Sequence, residues 1–491
     1  MTGVTSKHSE YIKNIDTWNK VDDVCDGQDA IKKKGKTYLP VPFTFGDGDE
    51  DRYKEYLDRA VFYGATGRTL ISHIGSAFNK LPDFKRPDEL EYLERNADGA
   101  GRSIYQSSQQ MLRLIFKHYR CGVYVDFPQV EPSRNRAEDK QKNAFPMIHT
   151  LKAQSVINWD FIVVGNQKKL SLVVIEENIS KLDDDGFGRT SDTQYRVLRL
   201  QKDQDDFVYS VQLYERNEKQ IYEAGPLYYP TDYHGKHWNY IPFTFCGAID
   251  NTDEINNPPL LELADLNLAH YRNSADVEES GFIVGQPIVS MPSITPEQYE
   301  IIKKDKLAIG ARNGFPTKVE IAQASENNLA KQLMTDKWLQ MKEMGARLIE
   351  VGSANKTATQ ADNEDSIQHS VVSLAVSNIS EALQMALRWC AKFALPDNDL
   401  KPDELTYVIS QDFNKQKYSV ERSKLILEMV QGELIPPEVL YQYEQTGTFS
   451  DAKWEEIEKK IEDYRMSKPL GGYQPYQGVD DERSRGTTSD N

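Results

Sequence analysis

Asn257-Pro258-Pro259-Leu260-Leu261-Glu262-Leu263-Ala264-Asp265-Leu266-Asn267-Leu268-Ala269-His270-Tyr271-Arg272 is written as the beginning of a helix. Asn257 can cap the first free amides, the prolines have no amide to satisfy, and Glu262 suits the positive end of the helix dipole. The helix is expected to run to about Glu279, with Gly281 as its stop. A compact segment follows, with strand-like pieces at 282–284 and 288–291, a helix start at Thr295-Pro296, and further strands at 306–311 and 318–321. From Ser325 a second helix sets Met334, Trp338, Met341, Gly345 and Leu348 on one face. A polar break, Gly352-Ser353-Ala354-Asn355-Lys356-Thr357-Ala358-Thr359-Gln360, leads into a third helix at about 361–393. Its expected apolar stripe is Ile367, Val371, Leu374, Ala375, Ile379, Leu383, Ala386, Leu387 and Cys390.

Composition limits what surrounds this stretch. The chain of 491 residues has room for several domains or subdomains, and its 39% hydrophobic and 27% charged residues describe a globular chain with much polar surface. No run approaches the ~18 apolar residues of a membrane span, and Met1–Tyr11 lacks the apolar core of a secretory signal. Cysteines 25, 121, 246 and 390 show no metal-like spacing and read as reduced thiols. The net charge of −17 argues against tight wrapping of nucleic acid. It remains compatible with a conduit, whose walls should avoid strong phosphate contacts.

Upstream, residues 1–50 read as short helical pieces and loops. Helical faces follow at 51–78 (Tyr53, Leu57, Ala60 and Gly64, then Leu70, Ile71, Ile74 and Phe78) and at 102–119, with Gly122 as the expected stop of the second. Val123–Phe127 alternates like a strand. Strand signals at 159–164, 170–175, 195–200, 207–214 and 220–224, separated by polar turns, predict an antiparallel meander, and 240–245 is a further apolar strand. Downstream, 404–409 reads as a strand, and 418–432, 436–447 and 452–466 as helices. The polar tail 467–491 reads as disordered.

The enzyme-like motifs fail on inspection. Lys32-Lys33-Lys34-Gly35-Lys36-Thr37 has Ala30 where a phosphate loop needs its first glycine. Gly46–Asp51 holds only fragments of a calcium loop, and Asp183-Asp184-Asp185-Gly186-Phe187-Gly188 reads as a turn. His234 and His237 have no third ligand in view and read as loop histidines. No GxSxG or HExxH sequence is present.

The order of helix, small insert, helix, polar loop and long helix resembles the portal (head-to-tail connector) proteins of tailed bacteriophages. The likeness is carried by Pro258 to Asp276, by Gly285-Gln286-Pro287 and by Lys356-Thr357-Ala358-Thr359-Gln360. Upstream it extends to Tyr38-Leu39-Pro40 and to Arg59 through Thr69. It covers most of the chain apart from about the last 25 residues, and its specificity lies in long stretches in the right order.

The resemblance implies an α+β subunit. Its parts would be an α/β wing (1–257), a first stem helix (258–280), a small α/β clip (281–324), a second stem helix (325–350), a tunnel loop (351–360) and a long channel-side helix (361–395). A strand returning to the wing (396–416), a helical crown (417–466) and the tail (467–491) would complete it. It implies a homo-oligomeric ring, a dodecamer, at one capsid vertex of the virion, assembled in the host cytoplasm. Double-stranded DNA would be packaged and ejected through the ring. Its implied partners are the terminase large subunit and the head-tail adaptor at the clip, with major capsid and scaffolding protein around it, and no membrane. No catalytic centre, cofactor or metal is implied. The implied DNA-channel residues are Ser353, Asn355, Lys356, Thr357, Thr359 and Gln360, with Lys356 the loop's single charge. Taken without the resemblance, that loop reads as a connector, as most short polar breaks are. Two other classes stay open: another virion structural protein, such as a capsid or baseplate subunit, and a metal-dependent nuclease or hydrolase.

Overall fold

The computed structural model describes residues 3–42, 50–127, 144–183, 186–203, 206–217, 220–285, 288–290, 295–297, 300, 320–322, 328–345, 358–396, 401, 403–411, 420–432, 435 and 458–462. It divides into two units, 1–413 and 414–491. The first unit opens with α1 (Ser9–Asp26), α2 (Gln28–Lys34), α3 (Glu50–Arg59) and α4 (Ala65–Ala77). The opening helix is longer than the short pieces expected, because Tyr11, Trp18, Val21 and Val24 share one face and are buried together. Gly27, at φ 96°, makes the break between α1 and α2.

The helix α5 (Ile104–His118) begins with a capping box, in which Ser103 and Gln106 exchange side-chain to backbone hydrogen bonds of 3.2 Å. It ends within a residue of the expected place, but not at Gly122. Tyr119, at φ 70°, turns the chain, held by its buried ring and by a hydrogen bond from Asn256 to its hydroxyl. Gly122 lies instead within strand β2 (Arg120–Asp126), where a Cβ would stand 2.9 Å from the Phe243 ring. Close cross-strand packing, not helix termination, requires that glycine.

Strand β2 is the centre of a three-stranded antiparallel sheet, between β3 (Met147–Lys152) and β9 (Phe243–Gly247). It is buried on both faces, with α5 packed over the sheet on one side. A second sheet lies on the other side, the expected meander β4 (Val156–Val164), β5 (Gln167–Leu182), β6 (Arg189–Asp203), β7 (Asp206–Arg216) and β8 (Tyr222–Tyr228), antiparallel throughout. Arg120 lies 4.1 Å from the ring centres of both Trp159 and Phe245, and the Tyr124 and Tyr209 hydroxyls meet at 3.1 Å. Arg196 of β6 bridges Glu177 at 2.6 Å and Asp126 at 3.0 Å, which ties the two sheets through charge. The fold is therefore mixed α and β, with its sheets antiparallel.

The central stretch forms α6 (Leu261–Val284), the strand pair β10 (Ile288–Ser290) and β11 (Glu320–Ala322), α7 (Asn328–Glu343) and α8 (Ala358–Ala394). Asn257 is not the cap of α6. The amide of Leu261 reaches the Pro258 carbonyl at 2.9 Å, and the helix starts after the prolines on the buried Leu260. Gly281 does not stop it either, and the expected strand at 282–284 is helical. The cost of a glycine inside a helix is about 1 kcal/mol, small enough for the side-chain anchors around it to override. The expected strand at 306–311 and the helix at 436–447 lie outside the described residues.

The face foreseen on α7 is the inward one, with Met341 buried and Met334 and Trp338 half-buried. On α8 the buried side is Val372, Ala375, Val376, Ile379, Ala382, Leu383, Ala386, Leu387 and Cys390, packed on α5, β2 and β9. Val371 and Leu374, assigned above to the buried stripe, face outward, and Ile367 lies where side chains are not described. Strand β12 (Thr406–Val408) pairs with β1 (Asp83–Lys85) in a sheet of its own and not with either larger sheet. In the second unit, α9 (Val420–Gln431) and the helical residues 458–462 are described, with Val430 and Ile461 buried.

A buried polar knot joins α1 to α5. Asp22 meets Lys117 at 2.6 Å and His118 at 2.9 Å, and accepts from Gln154 at 2.7 Å. Burial pushes the Asp22 carboxyl up, but hydrogen bonds and charge from His118 and Lys117 outweigh it and hold it at about 2. A depressed carboxylate stabilises the fold above its unfolded value and loses that contribution as pH falls through the folded one. Asp22→Asn should therefore cost about 2 kcal/mol at neutral pH. It should also flatten the loss of stability between pH 3.8 and about 2, read by circular dichroism across an acid titration.

Candidate functional site

Among the described residues, no group of three or more His, Cys, Asp or Glu side chains is gathered as a metal ion would need. An open depression of about 560 Å³ is lined by Lys85, Arg86, Glu94, Asp403 and Glu404, and its Arg86 and Glu94 satisfy each other at 2.9 Å. His234 contacts the Pro396 carbonyl, and His237 sits in a single β-bridge with Thr231, so both belong to a loop. The candidate site is the helical system of α6, α7 and α8.

Polar contacts fix α6 in nearly every turn. Lys20 meets Asp265 at 2.6 Å. The buried Asn267 accepts from the Thr66 amide at 3.2 Å and its hydroxyl at 3.1 Å, and donates to the Tyr63 carbonyl at 2.7 Å. Arg272 donates to the Tyr38 carbonyl, and the Ser274 hydroxyl both donates to and accepts from the backbone of Val61. Tyr56 donates to Asp276 at 2.8 Å, and burial, then that carboxylate, raises the phenol. Arg59 reaches Glu279 at 2.5 Å and lies 4.1 Å from the Phe282 ring centre. Such anchors make α6 a rigid post on the N-terminal helices, against which α7 packs.

The long helix α8 has an outward seam. Val371, Leu374, Ser377, Glu381, Met385 and Arg388 recur at spacings of three or four and are the exposed positions between 371 and 388. Three of them are large and apolar, with exposures of 39%, 48% and 38% for Val371, Leu374 and Met385. Leu329, Leu333 and Met344 add further exposed apolar surface on and just beyond α7. Ser377, Glu381 and Arg388 carried the missed signal: their spacing marks the solvent side, and Val371 and Leu374 share it.

Of the channel residues, Ser353, Asn355, Lys356 and Thr357 lie outside the described residues. Thr359 and Gln360 fall in the first turn of α8, which begins at Ala358, and their side chains are not described. The α6 anchors were missed as well, since nothing local distinguishes Asn267 or Ser274 from polar residues on an exposed face.

A family model described as "Domain of unknown function (DUF4055)" matches residues 259–394. That span opens at the proline turn before α6 and closes at the last residue of α8. No curated protein matches the sequence. Among solved structures, the chain is similar to one described as the neck of an empty GTA particle computed with C6 symmetry. That likeness has 13% identity, covers 83% of this chain and 94% of the other, and has a TM-score of 0.38. A second, the neck of a native GTA particle computed with C12 symmetry, gives 13% identity, 81% and 94% coverage and a TM-score of 0.37. Likeness of that degree does not by itself assign a fold.

Removing the Asn267 amide should free the segment it holds. Asn267→Ala leaves the Thr66 amide and Tyr63 carbonyl unsatisfied, at a cost of about 2 kcal/mol. Hydrogen exchange should then speed up at residues 61–69 while β5 and β6 stay protected. Unchanged exchange at Thr66 would show that the post is held elsewhere.

Proposed function

We propose that this chain is the subunit of a portal ring at one capsid vertex of a tailed phage or phage-like particle. Double-stranded DNA passes along its axis during packaging and ejection. The observation that carries the reading is the order of the described parts from 259 to 394: a 24-residue helix, a small strand pair, a 16-residue helix and a 37-residue helix. The longest stretch that resembles portals, Pro258 to Asp276, falls on the first of these helices.

In this reading, α6 and α7 are the stem, the residues between them the clip, and those between α7 and α8 the tunnel loop. The clip meets the packaging motor and later the head-tail adaptor. A ring that closes head to tail needs two different surfaces on each subunit, so a single chain should leave apolar surface uncovered. The α8 seam and the apolar positions of α7 suit that need. The chain's net negative charge suits a wall along which DNA slides, and one lysine per subunit in the loop forms a weak basic girdle without sequence readout.

Native mass spectrometry with negative-stain imaging tests the reading. Rings of about a dozen subunits with a central hole are expected. Protein that stays monomeric at high concentration and with scaffolding protein present would sink it. Leu374→Glu, a charge placed on the outward seam, should leave the monomer folded and abolish rings. Lys356→Ala should leave rings intact and alter packaging or genome retention, and normal packaging in that variant would remove Lys356 from the channel.

A further inference from the structure

A histidine is buried on α6, the helix against which α7 packs. His270 is 7% exposed, and its ring centre lies 6.2 Å from that of Tyr63. Its Nδ1 is buried and meets no hydrogen-bond partner among the described residues, and the same holds for Nδ2 of Asn273, one turn further along. A neutral imidazole can occupy such a place, because one ring nitrogen carries no proton and asks only for an acceptor's share of hydrogen bonding. An imidazolium has two N–H donors and a charge. Buried without a partner, that charge is far more costly than the neutral ring.

The charges around the ring have the wrong sign to hold a cation. From α7 the half-buried Lys337 turns inward with Met334, Trp338 and Met341, while Asp336 beside it is exposed. From α4, Arg68 lies 5.4 Å from the centre of the Tyr63 ring. On α6 itself the neighbours three and four residues away, Leu266, Asn267, Asn273 and Ser274, are uncharged. Asp265 is taken by Lys20 of α1 at 2.6 Å. Burial, and then the Lys337 ammonium, hold the imidazole below its ordinary value of 6.5.

We propose that His270 is an acid-sensitive catch in the α6–α7 contact: protonation of its ring loosens α7 from α6 while the sheets stay closed. With α7 docked, the ring binds a proton poorly. With α7 lifted away, it regains water, loses Lys337 and returns toward 6.5. The undocked state therefore binds the proton more tightly, so docking is complete above 6.5 and weakens as pH falls below that value. The hydrogen bonds of Asn267 and Ser274 to Thr66, Tyr63 and Val61 involve no group that titrates in this range, so α6 itself stays in place. The catch acts within one chain and does not depend on the ring reading.

Amide hydrogen exchange of the full chain tests this, corrected for the intrinsic rate at each pH, with native mass spectrometry confirming one oligomeric state throughout. Between about pH 7.5 and about pH 6.0, a histidine that titrates near 6.5 when undocked raises the undocked population by up to about fourfold. Exchange in peptides from 328–343 should accordingly speed up about two- to fourfold, and peptides from β5 and β6 should not change. His270→Gln keeps a polar amide but has no proton to gain, so its α7 should exchange alike at both pH values. His270→Phe should do the same, and it keeps the comparison available if the glutamine variant misfolds. Wild-type α7 exchange that is flat across this interval would overturn the catch. An acceleration that persists in the variants would overturn it too, by placing the titrating group elsewhere. So would an acceleration shared by β5 and β6, since the whole fold would then be loosening.

Discussion

Asn267 is wholly buried, and its side chain joins α6 to the backbone at Tyr63 and Thr66. A buried amide with unmet donors and acceptors is costly, so the segment 61–66 has little freedom to move relative to the helix. Ser274, Asp276 and Glu279 repeat the arrangement down the same helix against Val61, Tyr56 and Arg59. These contacts turn an N-terminal helical cluster and a distant central helix into one body. The helix α7 packs on that body.

The long helix α8 does a second kind of joining. Small residues, Ala375, Ala382 and Ala386, let it approach the three-stranded sheet and α5 closely, while Ile379, Leu383 and Leu387 fill the space between. Its remaining side is exposed. Along that side Val371, Leu374 and Met385 alternate with Ser377, Glu381 and Arg388, so its large apolar side chains stand in water without forming a continuous stripe.

Much of this was legible beforehand. Evenly spaced strand signals with polar turns between them gave away the meander. The order of α6, α7 and α8 followed from helical spacing and punctuation. The punctuation itself misled at Gly122 and Gly281, since a glycine also serves close packing or is carried inside an anchored helix. Pairing of β1 with β12 and of β2 with β9 leaves no local mark, as the partners lie far apart in sequence. The candidate site was the least legible part. The run before α8 offers one lysine among uncharged residues, and the outward seam of α8 alternates apolar with polar and charged residues in a way that a single apolar stripe does not describe.

The pairing of Phe84 with Tyr407 also sets a clock. The Tyr407 hydroxyl lies 2.8 Å from Ser108 deep in the core, and its ring meets Phe84 edge to face. More than 300 residues separate the two strands, so translation at about 5–20 residues per second holds the N-terminal half waiting for on the order of tens of seconds. Through that interval the faces of α5 and β2 that α8 will cover stand open on the nascent chain. Folding is thus completed late and from the far end. A chain cut short before Thr406 therefore lacks a closing part of its own core, however completely its earlier elements have been made.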